Sequence, residues 1–293
     1  MQWMRDHNHL IEVLSGEIRN KFPQIVVHEA VADKLYFTMN DRDFYISECE
    51  LVLDLETHVV AVTFLDNASN LLDLIRHRNN PNDRLIYSQP DNAGWDIPEK
   101  VVRGIYVTQD PSINLEMYYD LRRVRSNFID KMIFRGNYMG VGRGSINYLM
   151  DAKYADAFEG PHGLNPIQYF HDLIQYKVGL SLPGIGELCY RDLEYMAIGL
   201  PMLRFDYEYP LNPPLIPNHH YISIPRPENL PWLDERTGSA EIAQMYIDRF
   251  NEVRHDEELL KEISRNAKQY YEDFFSPRVR VQRVLSLMGL TNG

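Results

Sequence analysis

At 293 residues the chain exceeds what one average core covers, so one large or two modest domains are expected, and 44% hydrophobic with 25% charged residues excludes a disordered chain. A formal net charge of -12 disfavours nucleic acid as a partner, because its phosphates need a basic surface, and leaves small anions to a local basic cluster. Cys49 and Cys189 are too few for a disulfide scaffold, and no apolar run approaches the roughly 20 residues that span a bilayer, so with no signal-peptide pattern at the N-terminus the expected protein is soluble and cytoplasmic, a removed leader or anchor aside.

Along the chain, residues 2–21 place Leu10, Ile11, Leu14 and Ile18 at helical spacing and stop before Pro23. LYFTM (35–39), FYIS (44–47), LVLDL (51–55) and VVAVTFL (59–65) read as strands of a small sheet, followed by a capped helix over 67–76. LIYSQ (85–89) and GIYVTQ (104–109) continue the α/β alternation. The segment between them, PDNAGWDIPEK (90–100), is a turn-rich loop anchored by Trp95. A helix over 114–128, carrying Arg122, Arg123 and Arg125, delivers the chain to MIFRG (132–136), and the domain boundary is expected near Ile129. A second series follows in which strands alternate with helices, the pattern of a parallel sheet. Residues 239–290 are helical in pattern, broken at Ser276-Pro277, and are expected to pack back across both domains. The expected organisation is therefore an acceptor-side α/β domain at 1–128, a nucleotide-binding Rossmann-like domain at 129–274, and a returning C-terminal helix at 275–293.

Chemistry concentrates in two glycine turns of the second series. In VGLSLPGIGELCYRDLEYMAIGLPMLR (178–204), Gly184 and Gly186 allow close approach of backbone to a ligand, Glu187, Arg191 and Glu194 fall near one face of the following helix, and Gly199-Leu200-Pro201 ends it. In FRGNYMGVGRGS (134–145), Arg135 and Gly136 stand at a strand end, Arg143 lies in the turn, and Ser145 opens a helix. Free backbone N–H groups, a positive helix end and guanidinium groups together suit a phosphate. No Lys follows the glycines before Ser145, which excludes a Walker loop, and the glycine spacing is not that of the dinucleotide fingerprint. Ligands of open α/β sheets sit at the carboxyl ends of strands, and these two turns occupy successive ends. On the functional reading Arg191 binds a diphosphate while Glu187 and Glu194 fix ribose, sugar hydroxyls or the arginine itself. The alternatives are a structural turn with a surface arginine, and a salt-bridged helix whose pairs contribute a few tenths of a kcal/mol each. His7, His9, His219 and His220 lack a matching acid or cysteine cluster and read as loop or solvated histidines rather than metal ligands.

IDKMIFRGNYMG (129–140) resembles the strand and turn of the protein O-glucosyltransferase family, also described as lipopolysaccharide-modifying glycosyltransferases. HDLIQYKVGLSLPGIGELCYRDLEYMAIGLPML (171–203) and HHYISIPRPENLPWL (219–233) are similar to that family's later segments, so the resemblance covers most of residues 129–290. It implies an α/β fold of two Rossmann-like domains facing a cleft (GT-B type), a nucleoside-diphosphate sugar as donor, UDP- or GDP-linked, with no cofactor and no metal, and phosphate contacts from Arg135, Arg143 and Arg191. Asn137 stands where the family has serine, and Glu187 where many members have a small residue. LYFTMNDRDFY (35–45) is similar to the family's strand ending in Arg-Asp-Tyr, which nominates Asp43 as general base; read without the family, Asp41-Arg42-Asp43 is a hairpin turn. Asp91 and Asp96, beside Trp95, are the reserve bases. The sequence therefore leads to an inverting glycosyltransferase acting on a carbohydrate or glycoprotein acceptor. Two readings compete with it: an NAD-dependent sugar-nucleotide epimerase or oxidoreductase, and a non-catalytic carbohydrate-binding protein.

Overall fold

In the computed structural model the four strand-like runs between residues 35 and 65 are strands, but of two different sheets. β2 (Leu35–Met39) and β3 (Arg42–Ile46) form a two-stranded antiparallel hairpin, turned by Asp41 in a left-handed conformation that aspartate tolerates. β4 (Glu50–Asp54) and β5 (Val59–Thr63) join β1 (Val26–Ala30), β6 (Arg84–Tyr87) and β7 (Val101–Arg103) in a five-stranded sheet of order β1-β4-β5-β6-β7, antiparallel up to β5 and parallel beyond it. β1 has no counterpart among the runs read from sequence, because His28 and Glu29 interrupt its apolar pattern; pairing with β4 recruits it. The structure describes every residue except 1, 31–33, 40, 48–49, 64–68, 88–99, 104–112, 137–143, 162, 185–186, 209–210 and 291–293.

The chain divides into two units, Met1–Pro111 with Phe274–Gly293, and Ser112–Asp273. In the first, strand alternation buries both sheet faces. Leu51, Leu53, Val60, Val62 and Ile86 pack with Leu10, Ile11, Leu14 and Ile18 of α1 (Gln2–Lys21), with Val284 and Leu285 of α10 (Arg280–Leu287) and with Met288, which caps it. Val52, Ala61 and Leu85 meet Leu71, Leu74 and Ile75 of α2 (Ser69–Arg78), with Phe44 and Ile46 of the hairpin.

The second unit has a parallel five-stranded sheet of β8 (Ile129–Ile133), β9 (Phe158–Glu159), β10 (Tyr176–Leu180), β11 (Met202–Phe205) and β12 (Ile222–Ile224), in the order β12-β11-β10-β8-β9. α4 (Ser145–Leu149) lies between β8 and β9, α5 (Pro166–Leu173) between β9 and β10, and α6 (Tyr190–Ala197) between β10 and β11. From β8 the chain first steps to β9 on one side and then returns to β10 on the other, so the strand order reverses between β8 and β10. In doubly wound sheets that reversal opens a crevice at the carboxyl ends of the two strands. α8 (Ala240–Val253) supplies Ile242, Ala243, Tyr246, Ile247 and Phe250 to one core. α6 lies so close to β10 that a Cβ on Gly179 would come within 2.6 Å of the Tyr195 ring.

The division falls ahead of α3 (Leu115–Arg123) instead of at residue 129, so α3 belongs to the second unit. The cause is Arg122, whose guanidinium donates to the carbonyls of Gly199, Ile174, Tyr176 and Lys177 and ties α3 to the second sheet. Among the described residues no helix is long and apolar enough to cross a membrane.

Candidate functional site

The switch point between β8 and β10 is bordered by the two turns singled out in the sequence. β8 runs into Phe134-Arg135-Gly136, and β10 into Ser181-Leu182-Pro183-Gly184, beyond which α6 begins. Arg143 and Gly186 lie outside the described residues, as do Asp91, Trp95 and Asp96.

The start of α6 is fixed by Asp192, an acid at its third position that is wholly buried. Its carboxylate accepts from the Cys189 N–H (3.0 Å), Arg204 Nη1 (2.9 Å), the Tyr207 hydroxyl (3.3 Å) and the Ser181 hydroxyl. This binds the helix end to the carboxyl ends of β10 and β11. The sequence carries this only as an acid three residues after Cys189, at capping-box spacing, a weaker signal than the glycines and arginine around it.

Glu187 precedes α6, so it does not share a helical face with Arg191 and Glu194. It is wholly buried and accepts the Glu208 N–H, with Arg226 at 3.5 Å and Arg204 at 4.0 Å. Arg226 also pairs with Glu235 at 2.8 Å, and Glu235 takes the Tyr246 hydroxyl. Burial raises the proton affinity of Glu235 against the pull of these two arginines. Glu187 is thus engaged in a buried ionic network, not held out toward a ligand.

Arg191 is different. Its side chain is buried, the residue being only 7% exposed; its guanidinium lies 4.2 Å from the Phe134 ring, and Nε donates to the Arg135 carbonyl at 3.2 Å. Nη1 is buried and has no hydrogen-bond partner among the described residues. A buried donor left unsatisfied costs about 1–3 kcal/mol and more when charged, so Nη1 is hydrogen-bonding capacity that the described fold does not use. The Ser145 hydroxyl, at the first residue of α4, is likewise buried and without a partner among the described residues.

Arg135, expected to contact phosphate, is spent on the protein. Nε pairs with Asp172 of α5 at 2.6 Å, Nη1 donates to the Gly160 carbonyl, and Nη2 reaches the Tyr176 hydroxyl at 3.4 Å. At 4% exposed it is a clamp between β8 and α5. Glu194, on α6 near Arg191, accepts the Tyr169 hydroxyl at 2.7 Å. Burial raises its proton affinity, with the Tyr169 hydrogen bond and Arg191 pulling the other way. Gly184 is buried in the turn after β10.

Asp43 belongs to the first unit. It is exposed on β3 opposite Thr38, whose hydroxyl it accepts at 2.7 Å, on the hairpin face that also shows Tyr36 and Tyr45. Of the histidines, His219 meets Asn266 at 3.1 Å and His220 accepts the Ile216 N–H at 2.8 Å. Burial, with His219 adjacent, pushes His220 down to about 4. Among the described residues no three His, Cys, Asp or Glu side chains gather as a metal site.

No family model and no curated protein matches the chain. Among solved structures it is similar to a glycosyltransferase from Rickettsia africae (12% identity, TM-score 0.46, 79% of this chain and 71% of that one). It is also similar to a mutant of S. aureus TarM in complex with Fondaparinux, alpha-GlcNAc-glycerol and UDP (10%, 0.41, 94% and 82%) and to the pneumococcal O-GlcNAc transferase GtfA in complex with UDP and GlcNAc (10%, 0.34, 88% and 69%). At TM-scores below 0.5 these are loose likenesses that assign neither family nor activity.

Proposed function

We propose that the protein is a glycosyltransferase whose second unit binds a nucleoside-diphosphate sugar and transfers the sugar, with inversion and without a metal, to an acceptor hydroxyl. The observation that carries the reading is the buried, unpartnered Nη1 of Arg191 beside the β8/β10 switch point. A guanidinium at a helix start suits a diphosphate, which offers paired oxygens and a negative charge that grows as it departs. The resemblance of residues 129–290 to a glucosyltransferase family points the same way. In the proposed reaction the acceptor oxygen forms a bond to the anomeric carbon as the bond from that carbon to the diphosphate breaks. The acceptor proton passes to a carboxylate, for which Asp43 is the candidate, and the nucleoside diphosphate leaves against Arg191.

The test is thermal denaturation with UDP, GDP and their sugars. A ligand at about 100 times its Kd adds about 2.7 kcal/mol of stability. Arg191→Met is expected to weaken nucleotide binding at least about tenfold, the worth of one charged hydrogen bond, while leaving the ligand-free melting temperature within about 4 °C, because the lost Phe134 and Arg135 contacts are offset by removal of an unsatisfied buried charge. If none of these nucleotides stabilises the wild-type protein, the donor reading fails. Asp43→Asn is expected to lower turnover about 100-fold with nucleotide binding intact. Unchanged turnover removes Asp43 from proton transfer, and nucleotide binding without turnover in the wild type leaves a sugar-nucleotide-binding protein in place of an enzyme.

A further inference from the structure

We infer that Phe134-Arg135-Gly136 is a seat for Arg191, and that Gly136 is a positioning residue which acts through that guanidinium and not by admitting a ligand to its own backbone. The inference rests on the donor-site reading above only for its functional consequence.

Three consecutive residues hold one side chain. Phe134 offers its ring face at 4.2 Å, Arg135 offers its carbonyl to Nε at 3.2 Å, and Gly136 offers the absence of a side chain. A Cβ built on Gly136 would lie 2.9 Å from Arg191 Cζ and closer still to Nη2, which is well inside van der Waals contact. The backbone at Gly136 is not in the left-handed region, so its conformation does not demand glycine. What demands it is the guanidinium lying against Cα. The Arg135 side chain in turn fixes the carbonyl that receives Nε, through Asp172 and the Gly160 carbonyl. With Nε engaged and Nη2 against Gly136, Nη1 is the nitrogen left for a ligand oxygen. This reverses the usual reason for a glycine beside a phosphate turn, where the bare backbone lets the ligand in.

A methyl group here meets the far end of a flexible side chain, so Gly136→Ala is expected to fold with a melting temperature close to wild type while expelling the guanidinium from its seat. Two readouts test it. Calorimetric titration with UDP and with inorganic pyrophosphate is expected to show Gly136→Ala weaker than wild type by about 10- to 100-fold, comparable to Arg191→Ala, and the double variant no weaker than Arg191→Ala alone. Independently of any ligand, the Arg191 Nε–H is expected to give a nitrogen-15 resonance protected from solvent exchange in the wild type and lost in Gly136→Ala. Near wild-type binding by Gly136→Ala, or full additivity in the double variant, overturns the inference while leaving the donor site standing. If Arg191→Ala binds as wild type does, the donor reading falls, and the exchange experiment still decides the seat: an Nε–H equally protected in wild type and Gly136→Ala overturns it.

Discussion

Arg122→Ala is expected to cost the second unit about 3–5 kcal/mol, the scale on which an interior loses one side of a charged network. Among the described residues Arg122 has no carboxylate partner; its charge is held by carbonyls. Nε donates to Gly199 at 3.0 Å, Nη1 to Tyr176 at 2.7 Å and Ile174 at 3.3 Å, and Nη2 to Lys177 at 3.2 Å, with the Phe128 ring 4.4 Å from Cζ. Ile174 caps the end of α5 and Gly199 follows the end of α6, so one cation sits at the negative ends of the two helices that carry Asp172, Tyr169, Arg191 and Glu194. Truncation strands those carbonyls in the interior and opens a cavity. Arg122→Lys keeps the charge but not the fork, and is expected to recover less than half of the loss. The adjacent Arg123, whose side chain is 66% exposed and 3.6 Å from Asp120, provides the control: Arg123→Ala is expected to change stability by less than about 0.5 kcal/mol. Urea denaturation of the three variants checks this, and an Arg122→Ala protein within about 1 kcal/mol of wild type would mean that water replaces the guanidinium at all four carbonyls.

The same residue shows what the sequence could and could not convey. The helix read over 114–128 is present but stops at Arg123, and most parallel strands of the second sheet were legible because local signals punctuate them, as Gly199-Leu200-Pro201 does at the end of α6. That Arg122 is interior and Arg123 exposed was not, since the carbonyls that select between them lie 52 to 77 residues downstream. Arg135 failed for the same reason. A strand-end arginine beside a glycine turn has one appearance whether it faces a phosphate or Asp172, and Asp172 is 37 residues away. Glu187 was misplaced by a shorter-range error: counting it onto one face with Arg191 and Glu194 assumes a helix that begins before Tyr190, whereas the turn through Cys189 sends Glu187 toward Arg204 and Arg226. Arg191 is legible because it follows the Gly184/Gly186 turn on the helix that Gly199-Leu200-Pro201 closes. Its unpartnered nitrogen is a property of three-dimensional packing alone.

In the first unit, raising the pH from 5 to 8 is expected to lower stability by up to about 3 kcal/mol through one carboxyl, and Glu50→Gln is expected to remove that dependence. Glu50 is the first residue of β4, 1% exposed, paired across the sheet with Ala30 on one side and Thr63 on the other. Burial pushes it up to about 7, against a 2.7 Å hydrogen bond from the Ser47 N–H and one from the Thr63 side chain, both of which favour the charged form. Between about pH 4.5 and 7 the unfolded chain has released this proton while the folded chain still holds it. The folded state therefore binds more protons, and stability falls with rising pH across that interval, is lowest above about 7, and is fully present below about 4.5. A glutamine side chain at this position has the shape of the protonated acid and no proton to lose. The variant should match wild type near pH 5 and exceed it by about 2 kcal/mol at pH 8, less than the full linkage energy because an amide satisfies the Ser47 and Thr63 donors less well than a carboxylate does. Because the chain carries a net charge of -12, other groups contribute their own slope, which cancels in the difference between variant and wild type. Denaturation midpoints at pH 5, 6, 7 and 8 that run parallel for the two proteins would show that Glu50 is already ionised in the fold at pH 5. Since β4 runs antiparallel to β5 and Glu50 pairs with Thr63, Glu50 stands at the end of the sheet where β5, β6 and β7 finish, so the proton is held where the first sheet's parallel strands end.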